Sequence, residues 1–417
     1  MRKLSFYLLW IFVFSIPWQD AVSIAGGTAL TRIIGIVAFA VAFAACLIEK
    51  RMKRPPFFVY VFFAFTVWQL LTYFWSADPS STLGSFSTLV QIFVMIWLIT
   101  ELCTGEKERV WLLEAFVLGS LVVCFLLVGA YARGEAADAY RYSTADLGLN
   151  DSAQFVAAGI AMAFIAVTSS RRAAIRRRSI LVWVNTAYVV IALFSVVLTA
   201  SRSGFIATCI ALFGVVFALR QAKLVQRLAW VIVIVGIFAG VFFSLSSNET
   251  LQANTQRITF STDTASLETL TGRTEIWSTG AALFREHQIG GMGAGTFVAA
   301  AREEFGHARA AHNLFVETAV ETGIIGILLL VAVLLAAVLP VLVWRSESTP
   351  SLVILFLVLF AIAQVGNVAN SKAFWCSLAV MSVSGVLQKR QAVYVAAGGA
   401  GLSQHPIDGG YSQQVSR

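Results

Sequence analysis

"NLFVETAVETGIIGILLLVAVLLAAVLPVL", residues 313–342, decides the class of this protein. It is a continuous apolar run, long enough to cross the hydrocarbon core of a bilayer as a helix. Similar runs recur in both directions. The apolar pattern predicts about twelve spans, near 4–19, 29–48, 56–75, 82–100, 109–131, 152–168, 180–200, 203–220, 227–246, 313–342, 349–367 and 372–388. The expected fold is therefore all-α, a polytopic integral membrane protein with about twelve transmembrane helices and a large helical outer loop. Residues 1–390 form one membrane domain, and residues 391–417 a disordered cytoplasmic tail. The first run carries Arg2 and Lys3 but has no small-x-small site, and another run follows shortly, so it does not read as a cleavable signal.

Composition agrees. The chain has 417 residues, 58% hydrophobic and 12% charged, with a mean hydropathy of +0.80, outside the range of soluble domains. Thirty-two phenylalanines and eleven tryptophans suit lipid-facing and interfacial surfaces. A membrane β-barrel needs short alternating segments, and these runs are continuous. Counting loops from a cytoplasmic N-terminus, Lys50, Arg51, Lys53, Arg54, Lys107, Arg109, Arg171, Arg172, Arg176, Arg177, Arg178, Arg220, Lys223, Arg227, Arg345, Lys389 and Arg390 share one side. That is the positive-inside pattern, with both termini cytoplasmic. The formal charge of +8 then reflects topology and gives no reason to expect a nucleic-acid partner. Cys46, Cys103, Cys124, Cys209 and Cys376 lie in or beside spans and form no disulfide framework or metal spacing.

Two outer segments interrupt the pattern, residues 132–151 and the much longer 247–312. In the second, "TGRTEIWSTGAALFREH" (271–287) predicts a helix of three to four turns capped by Thr274, with Trp277, Ala281, Leu283 and Phe284 on a partly apolar face. "QIGGMGAGTF" (288–297) follows, a tight turn region with four glycines in six residues. A structureless loop of this length is unusual, so order and function are expected.

Polar residues near these loops are the candidates for chemistry. Arg202, in "TASRSG" (199–204), falls where basic residues are depleted. Either it snorkels to headgroups, or it contacts an anion across a cavity, with Ser201 and Ser203 as added donors and Gly204 allowing close approach. Arg273 precedes the predicted loop helix. It is either a solvated loop arginine or a fork for phosphate beside a helix N-terminus. Arg257, Arg285, Arg302 and Arg309 are further donors, but the loop's acids match or outnumber them. His312 immediately precedes the long run, where an imidazole can accept a proton from an acceptor hydroxyl near neutral pH. Asn313, Glu317 and Glu321 follow at four-residue spacing, one stripe of a helix from which His312 is offset. The bland reading is a histidine capping the helix and glutamates satisfied by neighbouring spans; a buried carboxylate needs a partner in either case. No metal spacing and no G-x-x-x-x-G-K-[ST] occurs, so neither a metal site nor an ATP-driven pump is expected.

"SRSG" between two spans, then "TGRTEIW", "GGMGAGTF" and "HNLFVETAVETGIIG" leading into a long helix, resembles the O-antigen ligase and O-antigen polymerase superfamily over roughly residues 185–340. The resemblance implies a metal-independent, inverting glycosyltransferase without cofactors at the outer face of the bacterial inner membrane. Its donor is then a glycan on undecaprenyl pyrophosphate. Its acceptor is lipid A–core sugar for a ligase, or another lipid-linked repeat unit for a polymerase of O-antigen, capsule or exopolysaccharide. By motif, Arg202 and Arg273 match the family's arginines and His312 its essential histidine. The competing class is a lipid or polysaccharide transporter. Transporters show repeated halves with broken helices at matching places, whereas the polar features here cluster at one face.

Overall fold

The computed structural model describes residues 1–21, 23–24, 28–137, 141–143, 148–170, 173, 175, 178–218, 236, 252, 254, 264–305 and 310–396. Among these the only strands are a two-residue antiparallel hairpin, Ser23–Ile24 with Thr28–Ala29. The remaining long elements are helices: α1 (Arg2–Ser15), α2 (Leu30–Glu49), α3 (Phe57–Leu71), α4 (Pro79–Leu102), α5 (Glu106–Ala132), α6 (Leu149–Ser169), α7 (Arg178–Thr199), α8 (Arg202–Ala218), α9 (Thr264–Glu286), α10 (Phe297–Phe305), α11 (Leu314–Val343), α12 (Thr349–Val365) and α13 (Lys372–Ala396).

The all-α, multi-pass character holds, but the count of about twelve spans does not. Among the described residues seven helices are long and apolar enough to cross a bilayer: α2, α3 with its terminal turn to Trp75, α4, α5, α6, α7 and α11. The rest fall short for identifiable reasons. Helix α1 has 14 residues and ends in a 3-10 turn at Ile16–Ala21. At about 1.5 Å per residue it covers roughly 21 Å of a core about 30 Å thick. Helices α8 and α12 have 17 residues each, and α13 is long but too polar, burying Ser377, Ser382, Ser384 and Gln388. Of the stretch expected near 227–246, all but residue 236 lies outside the described residues. Hydropathy registers apolar residues whether they face lipid or other helices, and the first fourteen residues of α13, all buried, face helices.

Close backbone approaches hold the bundle together, as expected where lipid supplies little drive for helices to associate. A Cβ on Gly204 of α8 would lie 2.2 Å from Ala153 Cβ of α6. One on Gly159 of α6 would lie 2.1 Å from the Tyr188 hydroxyl of α7, which donates to the Val156 carbonyl at 2.8 Å. The fully buried Trp375 meets Phe62 edge-on, with ring centroids 4.9 Å apart.

Two outer-loop expectations change. The loop helix begins at Thr264, so Arg273 and Thr274 sit inside α9 and Thr274 is not its cap. Gly272 lies within that helix, where a glycine costs only about 1 kcal/mol relative to alanine. The long run at 313–342 is not one straight helix either. Gly323 adopts φ 67°, ψ −165° and divides α11. The last helix extends to Ala396, past the expected boundary at residue 390.

Candidate functional site

The site grows from the break in α11. At Gly323 the chain leaves the helical path, and the freed backbone groups find partners in the glycine-rich segment 288–296. Met292 N–H donates to Val320 O at 2.9 Å, Gly293 N–H to Glu321 O at 2.9 Å, and Ile324 N–H to Gln288 O at 2.8 Å. The Trp68 indole donates to Thr322 O at 2.9 Å. Non-helical backbone at such a place survives only when its polar groups are satisfied in this way. Two glycines make the contact possible. A Cβ on Gly291 (φ +70°) would meet the Glu321 carbonyl at 2.3 Å, and one on Gly323 the Ile289 carbonyl at 2.2 Å. On its other side the segment is fastened to the α3–α4 turn. Ala77 N–H donates to Met292 O at 2.9 Å, Ala294 N–H to Thr72 Oγ1 at 3.0 Å, and the Trp75 indole to Gly290 O at 3.2 Å.

Glu321 belongs to this clasp. Its Oε1 accepts from Phe297 N–H at 3.1 Å, at the start of α10, where an acidic group also suits the helix dipole. Glu317, one turn earlier, leaves Oε2 buried without a hydrogen-bond partner among the described residues. Glu321 takes its partner from the outer loop.

Asn313, not His312, caps α11. Its Oδ1 accepts from Phe315 N–H at 2.9 Å and Val316 N–H at 3.1 Å. Its Nδ2 donates to Gln364 O at the end of α12, at 3.2 Å. The helix-capping reading of His312 is thereby excluded. His312 stands one residue outside the helix, half-buried, at φ 46°, a left-handed conformation that a non-glycine residue holds only when its surroundings fix it.

Arg273 reaches the same place from α9. Trp277, one turn further along that helix, donates its indole N–H to Ala311 O at 3.0 Å. Arg273 therefore shares the helix face turned toward residue 312. Helix α9 lies close against α11, since a Cβ on Gly280 would come 2.8 Å from Val316 Cγ1. Ile276, Phe297, Ala301, Ala311 and Val320 form a small separate core beneath it. Burial, and next the positive charge of Arg202, hold the Arg273 guanidinium below its ordinary value. Burial, and next the charge of Arg273, likewise lower the His312 imidazole. Arg202, Arg273 and His312, spread over 110 positions of sequence, thus share one electrostatic neighbourhood.

Arg202 opens α8. Ser201 caps that helix, its Oγ accepting from Gly204 N–H at 3.2 Å and donating to Asn150 Oδ1 at 2.8 Å. Ser203 Oγ accepts from Gln154 Nε2 at 3.5 Å. Both serines are buried and engaged in structure rather than open toward an anion. The links continue across the bundle. Gln154 packs against Gly366, where a Cβ would meet its Oε1 at 2.6 Å, and two residues earlier Gln364 holds Asn313. The N-terminus of α8 is thereby joined to the residue next to His312.

Sequence reading missed Trp277, Gln154 and Gln364. Gln154 did carry a signal, an amide inside an apolar run, whereas Gln364 acts through its backbone carbonyl, which its side chain does not announce. Trp277 stood in the sequence only as part of an apolar face. Among the described residues, no three or more His, Cys, Asp or Glu side chains gather as a metal site would require.

A family model described as "O-Antigen ligase", Wzy_C, matches residues 187–331. That segment spans α8, α9, α10 and the first part of α11, and so contains Arg202, Arg273, His312 and the clasp. No curated protein matches the chain. The protein is thus a multi-pass helical membrane protein whose partial family match is to glycan-transferring enzymes.

Proposed function

We propose that this protein is an O-antigen ligase-like glycosyltransferase that moves a glycan from undecaprenyl pyrophosphate to an acceptor sugar. The observation that carries the reading is the meeting of His312, Arg273 and Arg202 within the segment that matches the O-antigen ligase model. His312 acts as base. Its lowered pKa leaves the imidazole neutral near pH 7, ready to take the acceptor's hydroxyl proton. The acceptor oxygen bonds to the anomeric carbon as the carbon–oxygen bond to pyrophosphate breaks. Undecaprenyl pyrophosphate departs with the electron pair, and attack opposite the leaving group inverts the centre. Arg273 and Arg202 take the developing charge. A guanidinium that feels the charge of a second one, as Arg273 feels Arg202, is suited to sharing an anion with it. The donor arrives activated, so the reaction demands no ATP, metal or other cofactor.

Glu321 and Asn313 position His312 by holding α11 and its cap, and Ser201 and Ser203 position Arg202 in the same way. The described basic loops, with Lys50, Arg51, Lys53, Arg54, Lys107, Arg345, Lys389 and Arg390, gather at the other end of the bundle. By the positive-inside rule they face the cytoplasm, which turns His312 to the periplasm.

The test uses purified protein in nanodiscs with defined undecaprenyl-pyrophosphate repeat units. Release of undecaprenyl pyrophosphate, and a 10²- to 10⁴-fold fall in turnover for a folded His312→Ala variant, are expected on the scale of general-base catalysis. Unaltered turnover in that variant overturns the base. A product ladder without added acceptor marks a polymerase. A single capped product that needs lipid A–core marks a ligase. Donor moved across the membrane unchanged marks a transporter.

A further inference from the structure

A second polar cluster lies at the opposite end of the bundle. Helix α4 begins beside the glycine-rich clasp, where a Cβ on Gly295 would meet Ser81 O at 2.8 Å. Its other end, Thr100 to Cys103, lines a pocket with Lys53, Arg54 and Pro56 before α3 and with Val383, Val386, Leu387 and Arg390 of α13. Helix α4 has 24 residues, so at about 1.5 Å per residue the two places stand roughly 36 Å apart, about the thickness of a bilayer. The pocket therefore lies at headgroup depth on the side away from His312.

Its chemistry is one-sided. Three of the nine lining residues are cationic, none is acidic, and four are Pro, Val or Leu. The nearest acid, Glu101, is already engaged. Its Oε1 accepts from Arg2 Nη2 at 2.7 Å, and its Oε2 from the Lys53 backbone N–H at 2.9 Å. The Lys53 ammonium has neither solvent nor a hydrogen-bond partner among the described residues. Burial, the largest cause, lowers its pKa, and the charges of Arg2 and Arg390 add to that while Glu101 opposes it. The Cys103 thiol is pushed up to about 12 by burial and adds no negative charge. A buried ammonium beside a second and third cation is costly unless an anion joins it. Next in the chain to the lining residues Lys53 and Pro56, Met52 and Phe57 are exposed, at 56% and 72%. Those fit acyl chains and would gain nothing from a free ion.

We propose that Lys53, Arg54 and Arg390 form a binding site for the phosphate of an anionic phospholipid, with its chains lying along Met52 and Phe57. The site is independent of the glycosyl-transfer reading. Basic pockets between membrane helices at a cytoplasmic face bind lipid headgroups through this charge pattern. The lipid phosphate would supply Lys53 with its missing acceptor and join α3 to α13 through Lys53 and Arg390.

Native mass spectrometry of the full-length protein tests this, with equal amounts of phosphatidylglycerol and phosphatidylcholine of identical chains. The wild type should retain phosphatidylglycerol selectively. Lys53→Gln with Arg390→Gln should weaken that retention roughly tenfold or more. Lys107→Gln with Arg345→Gln, an equal loss of charge elsewhere at the same end, should leave it. Lys53→Arg with Arg390→Lys should keep it, which separates loss of charge from loss of fold. Equal retention by the two glutamine pairs would overturn the pocket. Stabilisation of lipid-free protein by inorganic phosphate, as large as that by phosphatidylglycerol and abolished by the same pair, would overturn the lipid.

Discussion

His312 and Arg273 meet at one place but rest on different kinds of support. The His312 side is held chiefly by a backbone ladder, with the Asn313 side chain added at the helix cap. Asn313 caps α11 and reaches α12, and the glycine-rich segment exchanges backbone hydrogen bonds with the break at Gly323 and with the α3–α4 turn. The Arg273 side is held by side chains. Helix α9 depends on a small apolar core and the Trp277 indole bond to Ala311. Backbone fastening fixes position regardless of most side-chain changes but tolerates no added atoms. Side-chain fastening can be loosened by degrees.

The largest effect should come from the backbone side. Gly291→Val puts a branched side chain at φ +70° and against the Glu321 carbonyl, and should destabilise the fold by about 3 kcal/mol or more. Thermal unfolding in detergent measures this, and an unchanged transition would remove the clasp from the account. A smaller effect should come from α9. Trp277→Phe keeps most of the ring and loses one hydrogen bond, about 1 kcal/mol. The protein should remain folded while turnover drops several-fold. A loss as large as that of Gly291→Val would show that both sides are supported alike.

The finest probe is pH. The positive charge of Arg273 is the second cause of the lowered His312 pKa, after burial. In the proposed mechanism transfer needs neutral His312, so kcat/KM should fall as pH drops through that pKa. Arg273→Gln should raise the pKa and move the acid limb upward. A downward movement would mean that the charge sensed there belongs to another group.

Some of this was legible in the sequence. The helical class followed from continuous apolar runs, while Arg202 and His312 stood out as polar residues at the edges of those runs and Arg273 as an arginine of the outer loop. Span number was not legible, because an apolar run shows neither how short its helix will be, as in α1, α8 and α12, nor how many buried polar groups it carries, as in α13. The interior position of Arg273 was hidden too, since "TLTGRT" (269–274) contains turn-forming residues that α9 nonetheless holds as helix. Positive φ was foreseeable at the glycines but not at His312. The division of α11 was not foreseeable, because Gly323 lies in a run whose composition reads as unbroken helix.

The clasp also decides how the protein can be rebuilt. Residues 288–297 and 320–324 form one unit, although more than twenty residues separate them in the chain. A chimera joined inside either stretch would divide a shared backbone ladder between two parents. Between them, the connection runs from α10 to the Ala311 carbonyl held by Trp277. A foreign segment joined within residues 302–310 would keep both anchors. Exchange of that connection between relatives should therefore leave the fold intact, provided the ladder on each side is kept from a single parent.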